Sequence, residues 1–441
     1  MLSYLGRTDA MAATPETDTP APQRAATSSR PATSVAIASE TLGDGCGLGH
    51  YLASLHHALA AQTGDTRILR VFPPPEPPRA QDPLGSFARR LVGEEMLKRL
   101  LLPVRRHLRR WTARPPADAW AATWQALDRE AVCLLPHVVC NDGGALDWYY
   151  ATLARRPLVW VIHDLHPLHF PDQWSAEDVA TFARRSHRLA SRAHTIICHN
   201  EYTKADICQK LGADQRKIVV VHLPSLLPEC DTQSLPPVAE TLRAFGIKQP
   251  YGLWASSSTF AHKNHDRLLR AWRILVDRGH DLKLVCTGGK GPRWQALSAL
   301  ITELGLADHV VFTGQVPRNV LWVILLNARL AVCPTLFEGG GSGPAAEAIA
   351  SGIPLACARI PQILEQLAGH TDLCDWFEPT DEAAIAEAVA RLLLNYDRAL
   401  ARAARAAEVF PGLRSWSEVA RVYWSVLDRA AASARGGERS P

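Results

Sequence analysis

Long apolar runs are missing from this 441-residue chain. Nothing in it reaches the ~18–20 uninterrupted apolar residues that span a bilayer. The most apolar stretch, 320–333, is broken by Asn327 and Arg329. Paired cysteines are missing too. The 10 cysteines are scattered with no Cys-x-x-Cys among them, which argues against a finger-type zinc site and a dithiol redox motif. Cys198, Cys286, Cys333 and Cys357 fall inside apolar runs, where a thiol acts as a small core residue. That usage fits a reducing, cytoplasmic setting. An excess of one charge is absent as well. A net charge of +4 is too small for a nucleic-acid binder of this size. Residues 1–33 lack the apolar centre of a signal peptide, carry Asp9, Glu16 and Asp18, and are rich in Thr, Pro, Ala and Ser. They read as a disordered tail.

What is present is a globular composition, 47% hydrophobic and 21% charged, over a length that suits two domains. Short apolar runs at 35–38, 67–72, 137–140, 158–163, 195–199 and 218–222 alternate with helical stretches. A Pro-rich linker over 224–237 follows. The alternation resumes at 252–255, 282–287, 310–313, 330–334, 354–356 and 373–377, with helices such as 266–278 and 382–394 between. Apolar strands separated by helices predict parallel sheets covered on both faces. Two such blocks predict an α/β protein of two doubly wound, Rossmann-like domains, 34–235 and 245–412, facing a cleft.

Four loops at the carboxyl ends of strands carry the chemistry, where ligands of such sheets bind. The most informative runs from Glu338 through Gly339, Gly340, Gly341, Ser342 and Gly343 to Pro344 and Glu347, with Gly352 closing the short helix. Pro at the start and Gly past the end are helix punctuation. The loop offers backbone N–H groups and a positive helix end with little bulk in the way, a place for a phosphate. After the first strand, Gly45, Gly47 and Gly49 precede His50 and a helix from Tyr51. The spacing fails the dinucleotide fingerprint, leaving a close backbone approach to a ligand or simply a tight loop. His163 ends another strand, with His166 and His169 following. It reads as a sugar or proton contact, or as a structural histidine satisfied by backbone. With no cysteine or matching carboxylate set beside the three, no metal is assigned. Finally, Lys263 within Phe260-Ala261-His262-Lys263-Asn264 sets a compact cation where a diphosphate leaving group would gain charge.

Together these segments resemble glycosyltransferase family 4, enzymes of the GT-B fold that transfer sugars with retention. The resemblance runs from Ser34 to about residue 430. It rests on the first Gly-rich loop, His163-Asp164-Leu165, the loop ending at Asn264, Phe312-Thr313-Gly314 with Val316-Pro317, and the block from Glu338 to Pro354. Arg414-Ser415-Trp416 opens a helix, 413–432, like the one that in this fold crosses back onto the first domain. The resemblance implies that Glu347 holds the ribose of a sugar nucleotide, that Lys263 and the N–H groups of Gly341, Ser342 and Gly343 hold its diphosphate, that Glu338 contacts the donor sugar, and that His163 stands over it. It implies no cofactor, and the lack of an Asp-x-Asp motif fits a reaction that uses Lys263 and a helix dipole in place of a metal. Two positions depart from the family: eight residues rather than seven separate Glu338 from Glu347, and Ser258 stands where many members have arginine.

A basic amphipathic segment within 86–114 carries Arg89, Arg90, Lys98, Arg99, Arg105, Arg106, Arg109, Arg110 and Arg114 against Glu94 and Glu95. It reads as an anionic membrane contact on the inner face of the cell membrane, or as a solvated helical insertion. The function expected is a retaining hexosyltransferase using a nucleotide-diphosphate sugar, GDP-mannose preferred, and a glycan or lipid-linked acceptor in polysaccharide or lipopolysaccharide assembly. A catalytically impaired sugar-nucleotide-binding partner protein is the alternative, and an epimerase on the same fold a third.

Overall fold

The computed structural model describes residues 33–38, 47–72, 121, 125–127, 129–136, 155–224, 234–413 and 415–437. Every strand among them belongs to one of two parallel six-stranded sheets. The first holds β1 (Thr33–Ala38), β2 (Arg67–Phe72), β3 (Val132–Leu135), β4 (Leu158–Val161), β5 (Thr195–Cys198) and β6 (Ile218–Val220), in the spatial order β2-β1-β3-β4-β5-β6. The second holds β7 (Tyr251–Ala255), β8 (Lys283–Thr287), β9 (Val310–Gly314), β10 (Leu330–Cys333), β11 (Leu355–Ala358) and β12 (Asp375–Phe377), in the order β12-β11-β10-β7-β8-β9. This is the two-sheet GT-B arrangement. In the second sheet the order reverses between β7 and β10, and a crevice opens beyond strand ends at such a reversal. Lys263 follows β7 and Glu338 follows β10, so both belong to that crevice.

The helices that position the site are α1 (Gly47–Ala60), α2 (Glu201–Leu211), α3 (His265–Asp277), α4 (Arg318–Leu326), α5 (Gly343–Ala350), α6 (Pro361–Gln366), α7 (Glu382–Leu394) and α8 (Trp416–Gly437). Strand alternation divides the first sheet's core in two. Ala36, Cys133, Leu135, Leu158, Trp160 and Ile196 face one side, while Val35, Ile37, Val132, Leu134, Val159 and Ile197 face the other. The second side is covered by α1 and α8. Val419, Ala420, Tyr423, Trp424, Leu427, Ala430 and Ala431 recur at helical spacing and are buried there. Tyr423 Oη meets Tyr51 Oη at 2.6 Å, Trp424 Nε1 donates to Leu59 O at 3.1 Å, and Arg67 pairs with Asp428 at 2.9 Å. The C-terminal helix therefore packs on the first sheet.

Some elements differ from the sequence reading. The strand expected at 137–140 lies outside the described residues, and β3, Val132–Leu135, is a strand the sequence reading did not include. Helix α1 opens at Gly47 rather than Tyr51, so Gly47 and Gly49 are in its first turn. Gly45, most of the tail, the basic segment 86–114 and linker residues 225–233 lie outside the described residues. Among the described residues, no helix is long and apolar enough to cross a membrane.

Candidate active site between the two sheets

The loop after β7 is shaped by Asn264, which adopts the left-handed conformation at φ 60°, a conformation that asparagine tolerates better than most residues. Its side-chain amide donates to Pro334 O at 2.8 Å and to Pro379 O at 2.7 Å. Leu336 N donates to His262 O at 2.8 Å. These bonds tie the loop carrying Lys263 to the loop carrying Glu338. Lys263 Nζ lies 2.8 and 3.0 Å from the two carboxylate oxygens of Glu338, so cation and carboxylate neutralise each other at the cleft. Ser258, where many members of the resembled family place arginine, is buried and bonds to Gly289 O. It brings no charge to the site.

The glycine run serves packing as much as ligand access. A Cβ on Gly339 would stand 2.6 Å from His163 O and 2.8 Å from Asp164 Oδ2. Gly339 O accepts from the Asn200 side chain and, at 3.4 Å, from Thr203 Oγ1. The loop after β10 thus rests on the strand ends of the other sheet. Gly341 has φ +107°, and a Cβ there would lie 2.5 Å from Gln366 Cδ. That glutamine accepts from Ser342 N at 2.8 Å and donates to Ser342 O at 3.2 Å. Ser342 is fully buried and its side chain caps α5. The Ser342 N–H is thus bonded to Gln366, while Gly341 and Gly343 on either side line the cleft.

Further contacts join the two sides. Ala261 N donates to Gln173 Oε1 at 3.0 Å. Glu365 on α6 accepts from Glu201 N at the start of α2, at 2.8 and 2.9 Å, and meets His222 Nε2 at 2.7 Å. Between them lies a cleft of about 510 Å³ whose lining includes His163, Asp164, His262, Lys263, Glu338, Gly341 and Gly343. Trp174, Phe182, Phe260 and Phe337 give it an aromatic wall.

His163 lines this cleft, but both ring nitrogens face protein. Nε2 meets Pro136 O at 3.0 Å, and Nδ1 meets His199 Nε2 at 3.1 Å. His199 Nδ1 in turn meets Val221 O at 3.0 Å. Both ends of this chain are carbonyl acceptors, so its three contacts need three protons where two neutral rings supply two. Burial holds both rings low, His163 at about 4 and His199 at about 3. Asp164 accepts from His166 N at 2.8 Å, and burial pushes its carboxyl up. The three nearby histidines take separate partners, His169 pairing with Asp206 at 2.5 Å. They do not converge on a metal position.

Glu347, in the first turns of α5, is not among the cleft-lining residues. It is buried and paired with Arg318 at 3.1 Å. Burial raises its pKa and Arg318 opposes that. Arg318, at the start of α4, was missed by the sequence reading. Its position directly after the Gly314…Pro317 segment was the available sign. His262 was also passed over, hidden beside the more conspicuous lysine.

Known families match both halves of the chain. The family described as Glycosyltransferase Family 4 matches residues 46–224, and Glycosyl transferases group 1 matches residues 242–409. A 2-deoxystreptamine glucosyltransferase of Streptomyces kanamyceticus is 31% identical over 168 residues, 37% of this chain and 42% of that protein. A GDP-mannose-dependent alpha-(1-6)-phosphatidylinositol monomannoside mannosyltransferase of Mycolicibacterium smegmatis is 30% identical over 241 residues, 52% of this chain and 60% of that protein. The alignments thus span about half the length of these relatives. Among solved structures, Anabaena HepE in complex with UDP and glucose superposes with TM-score 0.63 at 15% identity, over 90% of this chain and 100% of that one. Sucrose-phosphate synthase from Thermosynechococcus elongatus does so with TM-score 0.65 at 18% identity, over 91% and 100%. The last two share the fold.

Proposed function

This chain belongs to the group 1 glycosyl transferases and glycosyltransferase family 4, and from that premise we propose that it moves a hexose from a nucleotide-diphosphate sugar to a hydroxyl of a glycan or lipid-linked acceptor, with retention. The observation that carries the reading is the Lys263–Glu338 pair, 2.8 Å apart, at the strand-order reversal and facing the His163 loop. A diphosphate entering the cleft competes with Glu338 for the ammonium. Lys263 then meets the phosphate oxygens, and the freed Glu338 accepts from hydroxyls of the sugar. Gly341 and Gly343, with the positive end of α5, support the phosphates, and Glu347 takes the ribose hydroxyls.

In the transfer itself the acceptor oxygen bonds to the anomeric carbon on the face from which the diphosphate departs. The carbon–oxygen bond to phosphate breaks, its electrons stay with the diphosphate, and a phosphate oxygen takes the acceptor's proton. The leaving group's growing charge is what Lys263 stabilises. No metal or other cofactor enters this scheme. GDP-mannose is the donor we favour, supported by the mannosyltransferases among the relatives. The basic segment 86–114 supports a peripheral contact with an anionic membrane on the cytoplasmic side, where lipid-linked acceptors would be met.

Lys263→Ala and Glu338→Ala test the scheme through calorimetric binding and turnover of GDP-mannose, UDP-glucose and related donors. Loss of the ammonium should weaken donor binding by about 1.5–3 kcal/mol, the worth of a charged hydrogen bond. Loss of the carboxylate should abolish turnover while nucleotide binding survives. Full activity in Glu338→Ala would remove that residue's role. Donor binding with no turnover under any acceptor condition would turn the reading into the impaired partner protein.

A further inference from the structure

Trp174, His166 and His262 form a hydrogen-bonded chain that links the loops of the two sheets. An indole N–H can only donate. At 3.0 Å it meets His166 Nδ1, so that nitrogen must be the unprotonated one. A neutral imidazole has a single N–H, which His166 therefore carries on Nε2 and donates over 2.7 Å to His262 Nδ1. His262 in turn has its only N–H on Nε2. That nitrogen has no protein partner among the described residues, and the ring lines the cleft beside Lys263. Adding a proton to either ring would set two N–H groups against each other, so the contacts themselves hold both rings neutral. Burial and the Lys263 ammonium act in the same direction, lowering His166 to about 4 and His262 to about 2.

We propose that His262 is a hydrogen-bond donor of fixed polarity to the transferred sugar, and that Trp174 and His166 are positioning residues that lock its Nε2–H toward the cleft. This rests on the sugar-nucleotide reading and extends it. The chemistry selected is an oxygen with a free lone pair, a hydroxyl or ring oxygen of the hexose. An ammonium or other donor group at the same place meets an N–H and is refused. Lys263 answers charge and Glu338 accepts, so the site needs a neutral donor, and His262 supplies it without titrating. The lock also depends on both sides of the cleft. Trp174 and His166 follow β4, while His262 follows β7, so the polarity is set where the two loops meet.

Nitrogen-15 NMR of the histidine rings in the full chain tests the lock, combined with binding and kinetics for GDP-mannose and for GDP alone. Wild type should show His166 and His262 as neutral Nε2–H tautomers. Trp174→Phe keeps an aromatic ring against Phe260, 5.3 Å away between centroids, but removes the donor. It should give mixed tautomers in both rings and raise KM for the sugar nucleotide about 3–10-fold, one neutral hydrogen bond. The affinity for GDP should fall less than that for the sugar nucleotide. His262→Leu should lose the same factor, and His262→Gln, which restores a side-chain N–H, should recover most of it. An Nδ1–H tautomer in wild type would overturn the lock. A sugar-specific affinity untouched in both Trp174→Phe and His262→Leu would overturn the contact. Wild type that binds GDP but no sugar nucleotide overturns the contact while leaving the nucleotide site standing. Wild type that binds neither removes the functional reading with it, and the tautomers alone still judge the lock.

Discussion

Single residues decide how the cleft is closed. Gly339 is the clearest case, because the chain approaches His163 O and Asp164 so closely that no side chain fits. Gly339→Ala should therefore cost about 1–3 kcal/mol of stability, the usual penalty for overpacking. It should also lower turnover, since the displaced atoms lie next to Glu338. Thermal unfolding and a donor-turnover assay check both, and an unchanged melting temperature would show that the loop can move away freely. The same contact gives the longer spacing between Glu338 and Glu347 a physical sense. The run needs small residues to cross the other sheet's strand ends, yet Glu338 still reaches Lys263. Lys263 and Glu338 were legible in the sequence because a charge in an otherwise small-residue or aromatic loop stands out. Gln366 was not legible: it acts on Ser342, 24 residues away, and nothing in its local pattern marks that partner. Arg318 had a local sign in the segment before it, but nothing there pointed to Glu347.

At the scale of elements, α5 and α8 show two different kinds of dependence. Helix α5 carries its own instructions: Ser342 at the cap, Pro344 in the first turn and Gly352 in the left-handed conformation after the end. Helix α8 carries a periodic apolar face, but the surface that receives it lies more than 350 residues earlier, at Tyr51 and Leu59. Trp424 is fully buried in that contact. Trp424→Ala should cost about 3–5 kcal/mol, as expected for a large core aromatic. In a denaturant titration the loss should appear as a lower midpoint, and a shift too small to resolve would mean that α8 adds little to the first sheet. Strand β3, Val132–Leu135, is absent from the sequence reading, and its parallel pairing with β1 and β4 is what establishes it.

For the whole molecule, the histidines at the junction of the two sheets set an acid limit. His163, His166, His199 and His262 are all pushed below their usual value of 6.5, chiefly by burial, to between about 2 and about 4. Above pH 6.5 these rings are neutral in both the folded and unfolded chain and add no pH dependence. Below it the unfolded chain takes up protons that the folded chain refuses. Stability should then fall as pH drops from about 6.5 toward about 4, by up to ~1.4 kcal/mol per pH unit for each ring. Melting temperatures at pH 7.5, about 6 and about 5 measure this. A flat profile across that range would show that the rings are already protonated or solvated when folded.

By itself, the sequence determined the alternation of strands and helices, the two-sheet class, the caps of α5 and the identities of the charged groups in the cleft. All of these follow from interactions within a few residues: apolar periodicity, turn chemistry and helix ends. The tertiary structure alone decided which groups meet. It paired Lys263 with Glu338 and Glu347 with Arg318, occupied the Ser342 N–H with Gln366, and ordered the protons from Trp174 to His262. Those outcomes depend on distances between segments tens to hundreds of residues apart, and hydrogen bonds are decided at a few tenths of an ångström.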